Sequence, residues 1–439
     1  MFSKVDCFLK DNGLDINAVD REKLLSEFKN EMSAGLKNGD SSLAMIPSFI
    51  SIDKDIRTDM PVVVLDAGGT NLRTAVLEMK ENGDVEKSGF AKCPMPGTRE
   101  ELTNDEFFTA FADFLEPNLS TSNDTIGFCF SYPAEITPQC DAILKCWSKQ
   151  IKAPGVVGQR IGAGLCDQLE KRGYTRRFVI LNDTVATLLA GKSSGVSHHY
   201  SAYVGLILGT GTNTAYVEKN HNIVKRPDLD PDGSMVINIE SGGFNKIEQS
   251  RFDKLLDQRM IDPGAYTFEK MLSGAYLGQL CTVVLIEAAK AGFFSGSAAD
   301  SILSRDGNGE KWQPFSNKSV DDFCGGKPAE DNPFLDTAFN CDDREIVKKL
   351  CTPVYERAAV LTAVNIASAI IKTGSGSDPS APVCVNVDGS SYYLTITADF
   401  KNRVRTELKE LLAKRNLHYE LIKVEDSPII GAAVAGLMV

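Results

Sequence analysis

Two short glycine turns, each set between a pair of apolar runs, limit the folds open to this chain. Val62-Val-Val-Leu leads into Asp66-Ala-Gly-Gly-Thr-Asn and out through Leu72-Arg-Thr-Ala-Val-Leu. About 140 residues later Tyr203-Val-Gly-Leu-Ile-Leu leads into Gly209-Thr-Gly-Thr-Asn and out through Thr214-Ala-Tyr-Val-Glu. Apolar runs broken by glycine read as strand, turn, strand. A unit that recurs within one chain reads as a duplicated domain, although similar turns also arise by chance. The expectation is a pair of α/β domains facing one another, each offering its turn to a shared cleft.

A third feature sits between the two turns. Asn182-Asp183-Thr184 follows the apolar run Arg177-Phe-Val-Ile-Leu, which puts one carboxylate where a buried strand stops. In α/β enzymes a general base sits there. Taken alone, the tripeptide also reads as a cap, with Asp183 closing a helix that begins near Thr184.

Helical spacing is read at 15–37, 104–115, 156–172, 185–190, 266–291, 343–372, 398–414 and 428–438. Further strands are read at 125–130, 235–239, 383–387 and 418–424, with an extended stretch from Pro47 to Ile52. Residues 295–342, with Ser, Gly, Asp, Asn and Pro throughout, read as short helices and loops. No low-complexity linker separates the halves, so the domains are expected to pack tightly and to cross between each other more than once.

Composition removes several classes of function. A net charge of −12 argues against nucleic acid or anionic membrane as partner, since both need clustered Lys and Arg. Eleven scattered cysteines without a C-x-x-C pair and only four histidines indicate neither a disulfide framework nor a zinc site. The N-terminus mixes acids into a short apolar stretch, unlike a signal peptide. The run from Thr282 to Phe294 is interrupted by Glu287 and Lys290 and falls short of the roughly 20 residues of a membrane span. The chain is read as cytoplasmic.

The first turn has a logic for phosphate. Its glycines let backbone N–H groups approach an anion, and Thr70 and Asn71 add side-chain donors. Asp66 is placed to hold Mg²⁺, directly or through water, and Arg73 adds a fixed positive charge nearby. An ordinary hairpin turn is the alternative. Gly209-Thr210-Gly211 is competent for phosphate for the same reasons. Neither turn is a P-loop or a dinucleotide fingerprint.

Taken in order, these segments resemble the hexokinase family, the ATP:hexose phosphotransferases with an actin-like (ribonuclease H-like) α/β fold of two lobes about a cleft. Leu65-Asp-Ala-Gly-Gly-Thr-Asn-Leu-Arg is similar to the family's first phosphate motif, and Leu208-Gly-Thr-Gly-Thr-Asn to its second. Gly127-Phe-Cys-Phe-Ser-Tyr-Pro with Ile143-Leu-Lys-Cys-Trp-Ser-Lys is similar to the sugar-binding signature, and Leu181-Asn-Asp-Thr-Val-Ala-Thr-Leu to the segment that carries the catalytic Asp. Val236-Ile-Asn-Ile-Glu-Ser-Gly-Gly-Phe, Phe268-Glu-Lys-Met-Leu-Ser-Gly-Ala-Tyr-Leu-Gly, Arg357-Ala-Ala-Val-Leu and Val387-Asp-Gly-Ser-Ser-Tyr continue the series. The likeness runs from about residue 28 to 439.

That resemblance implies a division into a helical segment of the large lobe (1–58), a small lobe (59–183), a large lobe (184–426) and a C-terminal helix returning to the small lobe (427–439). It implies Asp183 as general base toward the 6-hydroxyl of a hexose, with Lys149 beside it. Ser131, Ser148, Lys149, Asn182, Asn213, Glu240 and Glu269 would meet the sugar hydroxyls. Asp66, Gly68, Gly69, Thr70, Asn71, Arg73, Gly209, Thr210 and Gly211 would hold the phosphates of ATP and Mg²⁺, and Gly389 and Ser390 would lie near the adenosine. Glucose is first among the candidate hexoses, with fructose and mannose beside it, and the chain would act as a monomer or homodimer. A hexose-binding sensor with weak or no kinase activity is the alternative.

Three departures stand out. The usual Trp-Thr-Lys is Trp147-Ser148-Lys149, which keeps the hydroxyl. Glu-Trp-Gly is Glu240-Ser241-Gly242, which removes an aromatic wall beside the sugar contact. Gly-Ser-Gly-Lys/Arg-Gly-Ala-Ala becomes Asp426-Ser-Pro-Ile-Ile-Gly-Ala-Ala, so two glycines and a basic residue are missing at the nucleotide end.

Overall fold

The valine run after Met60 and the apolar run after Ser201 each become the first strand of a sheet, and the two sheets share one topology. A computed structural model describes residues 4–120, 123–147, 150–194, 198–307 and 312–438. The chain begins with helices α1 (Lys4–Asp11) and α2 (Arg21–Gly35) and strand β1 (Ile46–Ser51). Strands β2 (Pro61–Gly68), β3 (Asn71–Met79) and β4 (Val85–Pro94) follow as an antiparallel meander. After helix α3 (Asn104–Leu115), strand β5 (Thr125–Phe130) pairs parallel to β2. The short hairpin β6 (Ala134–Ile136) and β7 (Ala142–Leu144), helix α4 (Ile161–Glu170), parallel strand β8 (Arg177–Leu181) and helix α5 (Asp183–Ser194) complete the unit.

The plan then repeats. Strands β9 (Ala202–Leu208), β10 (Thr212–Lys219) and β11 (Ser234–Asn238) form a second antiparallel meander. Helices α6 (Arg251–Asp257), α7 (Thr267–Leu272), α8 (Gly274–Lys290), α9 (Gly296–Leu303), α10 (Asn317–Cys324) and α11 (Cys341–Thr373) precede strand β12 (Val383–Asp388), which pairs parallel to β9. Helices α12 (Ser390–Leu394) and α13 (Phe400–Ala413), parallel strand β13 (Tyr419–Ile422) and helix α14 (Ser427–Leu437) end it. The sheet orders are β4-β3-β2-β5-β8 and β11-β10-β9-β12-β13, the second extended at its edge by β1. Strand for strand the two are the same, which is the duplication that the paired turns suggest.

Each unit sends its last helix to the other. α5 packs on β9 and β12, α14 packs on β2 and β5, and the two helices cross. One apolar cluster therefore contains Val62 and Val64 of the first sheet, Val185 and Leu188 of α5, Ile429 and Val434 of α14, and Ala215 and Val236 of the second sheet. Two further cores lie outside the pair of sheets, one beneath α3 and α4 and a larger one around α8 and α11. The 33-residue α11 is long and apolar enough to cross a membrane, but its apolar stretch is buried within the protein.

Some expected boundaries move. The helix read at 266–291 is two helices, broken at Ser273, which is extended. There the N–H groups of Gly274 and Ala275 bond to the carbonyls of Gly209 and Thr210, at 2.8 and 3.1 Å. Docking of the second turn onto the start of α8 overrides helical continuity. The helix read at 156–172 starts only at Ile161, because Gly158 takes a left-handed φ of 83° and its N–H is given to Leu144 of β7. The 15–37 segment likewise resolves into a single 3₁₀ turn and α2.

Candidate active site

A cleft of about 870 Å³ opens between the sheets, and it collects residues from both. The first unit contributes Ser131, Asn182 and Asp183; the second contributes Thr210, Gly211, Asn213, Glu240 and Glu269. Ser148 and Lys149 lie outside the described residues.

Asn182 and Asp183 owe their place to the end of β8. Asn182, and not Asp183, caps the helix: its Oδ1 accepts the N–H of Thr184 at 2.8 Å, and α5 starts at Asp183. That relieves Asp183 of the capping role and leaves the Asn182 amide N–H₂ as what it can offer a ligand. Asp183 accepts the Thr184 hydroxyl at 3.2 Å. A carboxylate in the first turn is also where the helix dipole favours negative charge.

The two glutamates share a design in which one oxygen is held and the other offered. Glu240 stands just past β11 in a left-handed conformation, φ 58°. Its Oε1 accepts from Asn238 Nδ2 at 2.7 Å and from Asn213 Nδ2 at 3.2 Å. Glu269, on α7, accepts the Thr212 N–H at 2.9 Å through Oε2. A side chain at Gly211 would meet that same oxygen at 2.5 Å, so glycine leaves the Glu269 carboxylate where it is. Among the described residues no donor reaches Glu240 Oε2 or Glu269 Oε1. Burial raises both carboxyls, opposed at Glu240 by the hydrogen bonds from Asn238 and Asn213, and at Glu269 by the bond from Thr212. Asn213 is itself fully engaged: it donates to Asn238 and Glu240 and accepts from the N–H groups of Thr214 and Ser241, at 2.7 and 3.3 Å.

Asn238, Thr212 and Tyr266 are the site residues that motif reading misses. Asn238 lies inside a recognised segment, two residues before Glu240, and that spacing was its only signal. Ser241 also differs from expectation. It does not form part of the cleft wall: it is fully buried, its Oγ 3.2 Å from Thr214 Oγ1 and 3.3 Å from Asn365 Nδ2 of α11. The serine therefore belongs to a buried polar contact under the Glu240 loop.

The first turn lies deeper. Asp66 is 2% exposed, and Arg73 Nη1 reaches its Oδ2 at 3.2 Å. Burial pushes its carboxyl up to about 6 against the pull of Arg73, and the nearby Asp183 adds to the rise. A buried carboxylate with a second carboxylate in electrostatic reach suits a divalent cation. Gly68 keeps Asp66 open, since a Cβ there would stand 3.1 Å from Asp66 Oδ1. Tyr132, which lines the cleft, ties down the turn by donating its hydroxyl to the Gly69 carbonyl at 2.6 Å. Among the described residues no three His, Cys, Asp or Glu side chains group as a cage. Mg²⁺ takes one or two carboxylates and completes its shell with water and phosphate oxygens, so Asp66 fits it. Thr70, Asn71 and Arg73 continue this turn into β3. Gly389 and Ser390 sit against Gly209 at the start of α12, and Ser391 donates to the Gly209 carbonyl at 2.8 Å.

At the nucleotide end Asp426 adopts φ 53° and pairs with Lys87 of β4 at 2.6 Å. Ser427 is buried and accepts from Asn386 Nδ2 at 3.1 Å. The altered segment is thus built into the junction between β12, β13 and α14.

Two hexokinase family models match the chain, one over residues 10–193 and the other over 203–438. Hexokinase-1 of Schizosaccharomyces pombe is 29% identical over 95% of this chain and 87% of its own length. The hexokinase of Brugia malayi is 28% identical over 94% of this chain and 73% of its own. Hexokinase-2 of Equus caballus is 30% identical over 95% of this chain, which spans 46% of that longer relative. Among solved structures, a hexokinase from Schistosoma mansoni complexed with glucose superposes with a TM-score of 0.76 at 28% identity, covering 99% of this chain and 98% of that one. A second hexokinase crystal structure gives 0.79 at 25% identity, covering 98% of both chains.

Proposed function

The chain belongs to the hexokinase family of ATP-dependent sugar kinases, and from that premise we propose that it transfers the γ-phosphoryl of ATP to the 6-hydroxyl of a hexose, glucose first, with Asp183 as general base. The observation that carries the reading is the convergence of Asp183 from one unit with Glu240 and Glu269 from the other about one cleft. Glu240 Oε2 and Glu269 Oε1 accept hydroxyl protons of the sugar, and the Asn182 amide donates to a hydroxyl oxygen. A sugar with one hydroxyl inverted leaves a buried carboxylate oxygen unpaired and is disfavoured. So held, the 6-hydroxyl gives its proton to Asp183 as its oxygen attacks phosphorus. A carboxylate suffices because the transition state is loose and proton loss is late. Asp66 would hold Mg²⁺, which supplies charge neutralisation on the phosphates when bound. Lys149 would add positive charge beside the sugar. Lobe closure would exclude water, the competing acceptor.

All eleven cysteines are free thiols, which suits the reducing cytoplasm proposed as its compartment. A coupled assay of ADP release with glucose, fructose, mannose and no sugar tests the reading, on the wild type and on Asp183→Asn. Sugar-dependent turnover is expected, falling by roughly 10²–10⁴ in the variant. Turnover that survives the substitution would remove Asp183 as base. Glucose binding without turnover on any hexose would favour a sensor.

A further inference from the structure

Tyr266 stands on the rim of the cleft in a conformation that few tyrosines adopt. Its φ and ψ are 51° and 39°, left-handed, where a bulky side chain is strained. The surrounding loop enforces this. Buried Lys270 bonds to Asp257 Oδ1 at 2.7 Å and to the Asp262 carbonyl at 2.8 Å, and Gly264 donates to Asp257 Oδ2 at 2.8 Å. The ring so placed is 51% exposed and lines the cleft. Its hydroxyl makes no hydrogen bond among the described residues, and it lies within electrostatic reach of Glu240, Glu269 and Asp262 on its own side and of Cys146 from the other unit. Of the described cleft-lining residues from the second unit, it is the aromatic one. With Ser241 turned into the core, the glutamate side of the cleft has no other ring.

A pyranose presents hydroxyls around its edge and C–H bonds on its faces. Carboxylates and amides satisfy the edge, and an aromatic surface is the chemical match for a face. We propose that Tyr266 is a specificity-determining residue for the sugar, its ring packing on the C–H face of a hexose whose edge is held by Glu240 and Glu269. This rests on the hexose reading of the cleft.

The test compares Tyr266→Phe and Tyr266→Gly with the wild type, measuring KM and kcat for glucose, KM for ATP, and melting temperature. Glycine adopts φ 51° freely, so that variant removes the ring without straining the loop. Its glucose KM is expected to rise about tenfold, with kcat and the ATP KM within about threefold and an undiminished melting temperature. Phenylalanine is expected to keep glucose KM within about threefold of wild type. A wild-type glucose KM in the glycine variant would overturn the proposal. So would a loss in the phenylalanine variant as large as in the glycine one, which would assign the effect to the hydroxyl. A lowered melting temperature accompanying the KM rise would reduce Tyr266 to a structural role. Failure of the wild type to phosphorylate any hexose would instead sink the reading of the cleft, and the proposal with it, before any variant is compared.

Discussion

Replacing Gly431 by alanine probes the joint on which the site depends. Gly431 lies where α14 crosses α5, and a Cβ there would stand 1.9 Å from the Ala186 carbonyl oxygen and 2.6 Å from the Ala186 Cα. Contacts of that kind below 3.0 Å are essentially never seen. The obstacle is backbone, so no change of rotamer relieves it, and the helices must part by about 1 Å. α14 has nowhere to go, because on its other face a Cβ at Gly127 of β5 would stand 1.8 Å from the Ala432 carbonyl. Overpacking costs roughly 1–3 kcal/mol, and this clamped crossing belongs at the upper end. The strain also reaches the proposed base, since Asp183 is the first residue of α5, and a misplacement of about 1 Å at reacting groups costs on the order of 100-fold in rate. Urea unfolding should show a loss of about 3 kcal/mol, and kcat at saturating sugar and ATP should fall by about 10- to 100-fold. Gly296→Ala is the control: it begins α9, a Cβ there meets nothing within 4 Å, and it should be neutral or slightly stabilising. Wild-type stability and kcat in Gly431→Ala, or an equal loss in Gly296→Ala, would refute the reasoning.

Three further outcomes follow from the same geometry. Asn238→Ala removes a donor to the ionised form of Glu240, whose carboxyl burial already raises. Its pKa should therefore climb further, moving the acid limb of the kcat/KM profile for glucose upward by about one pH unit; an unmoved limb would show that Glu240 does not govern sugar capture. The sign for stability is the same, since a raised carboxyl stabilises the fold below its unfolded pKa and that contribution is lost as pH rises through the folded value, so the variant's deficit should grow with pH. Asp253→Asn leaves Arg357 buried without its bidentate partner, both bonds being 2.7 Å, and should cost about 3–5 kcal/mol in urea unfolding; a loss under about 1 kcal/mol would mean that solvent reaches the pair. Ser241→Trp, the family's usual residue, should destabilise this chain by at least about 1–3 kcal/mol because Thr214 and Asn365 occupy its surroundings. Pairing it with Asn365→Ala should restore part of that loss in a double-mutant cycle, and strict additivity would disprove the contact.

What the chain reveals before folding depends on how local the cause is. The paired hairpins are legible because glycines and alternating apolar residues act within a few positions, and the strand-end Asp183 because an apolar run stops beside it. The break at Ser273 is not fixed locally, since Gly274 only weakens a helix there; Gly209 and Thr210 arrive from another strand to take the N–H groups of Gly274 and Ala275. Nor is the inward turn of Ser241, which Asn365 stabilises from 124 positions away. Asn238 marks the boundary between the two cases. Two residues before Glu240, it would be found by carrying strand alternation forward, yet β11 ends at Asn238 and Glu240 is left-handed. The alternation fails at the residue where it would have been useful. An extended Glu240 would continue the strand; the left-handed one turns back, so that Asn238 and Asn213 grip one oxygen and the other faces the cleft. The same conformation recurs at Tyr266, also outside regular structure and also on the cleft. Both residues line the cleft, and Tyr266→Gly tells strain from contact, since relief of the strain is read in the melting temperature and loss of the ring in the glucose KM.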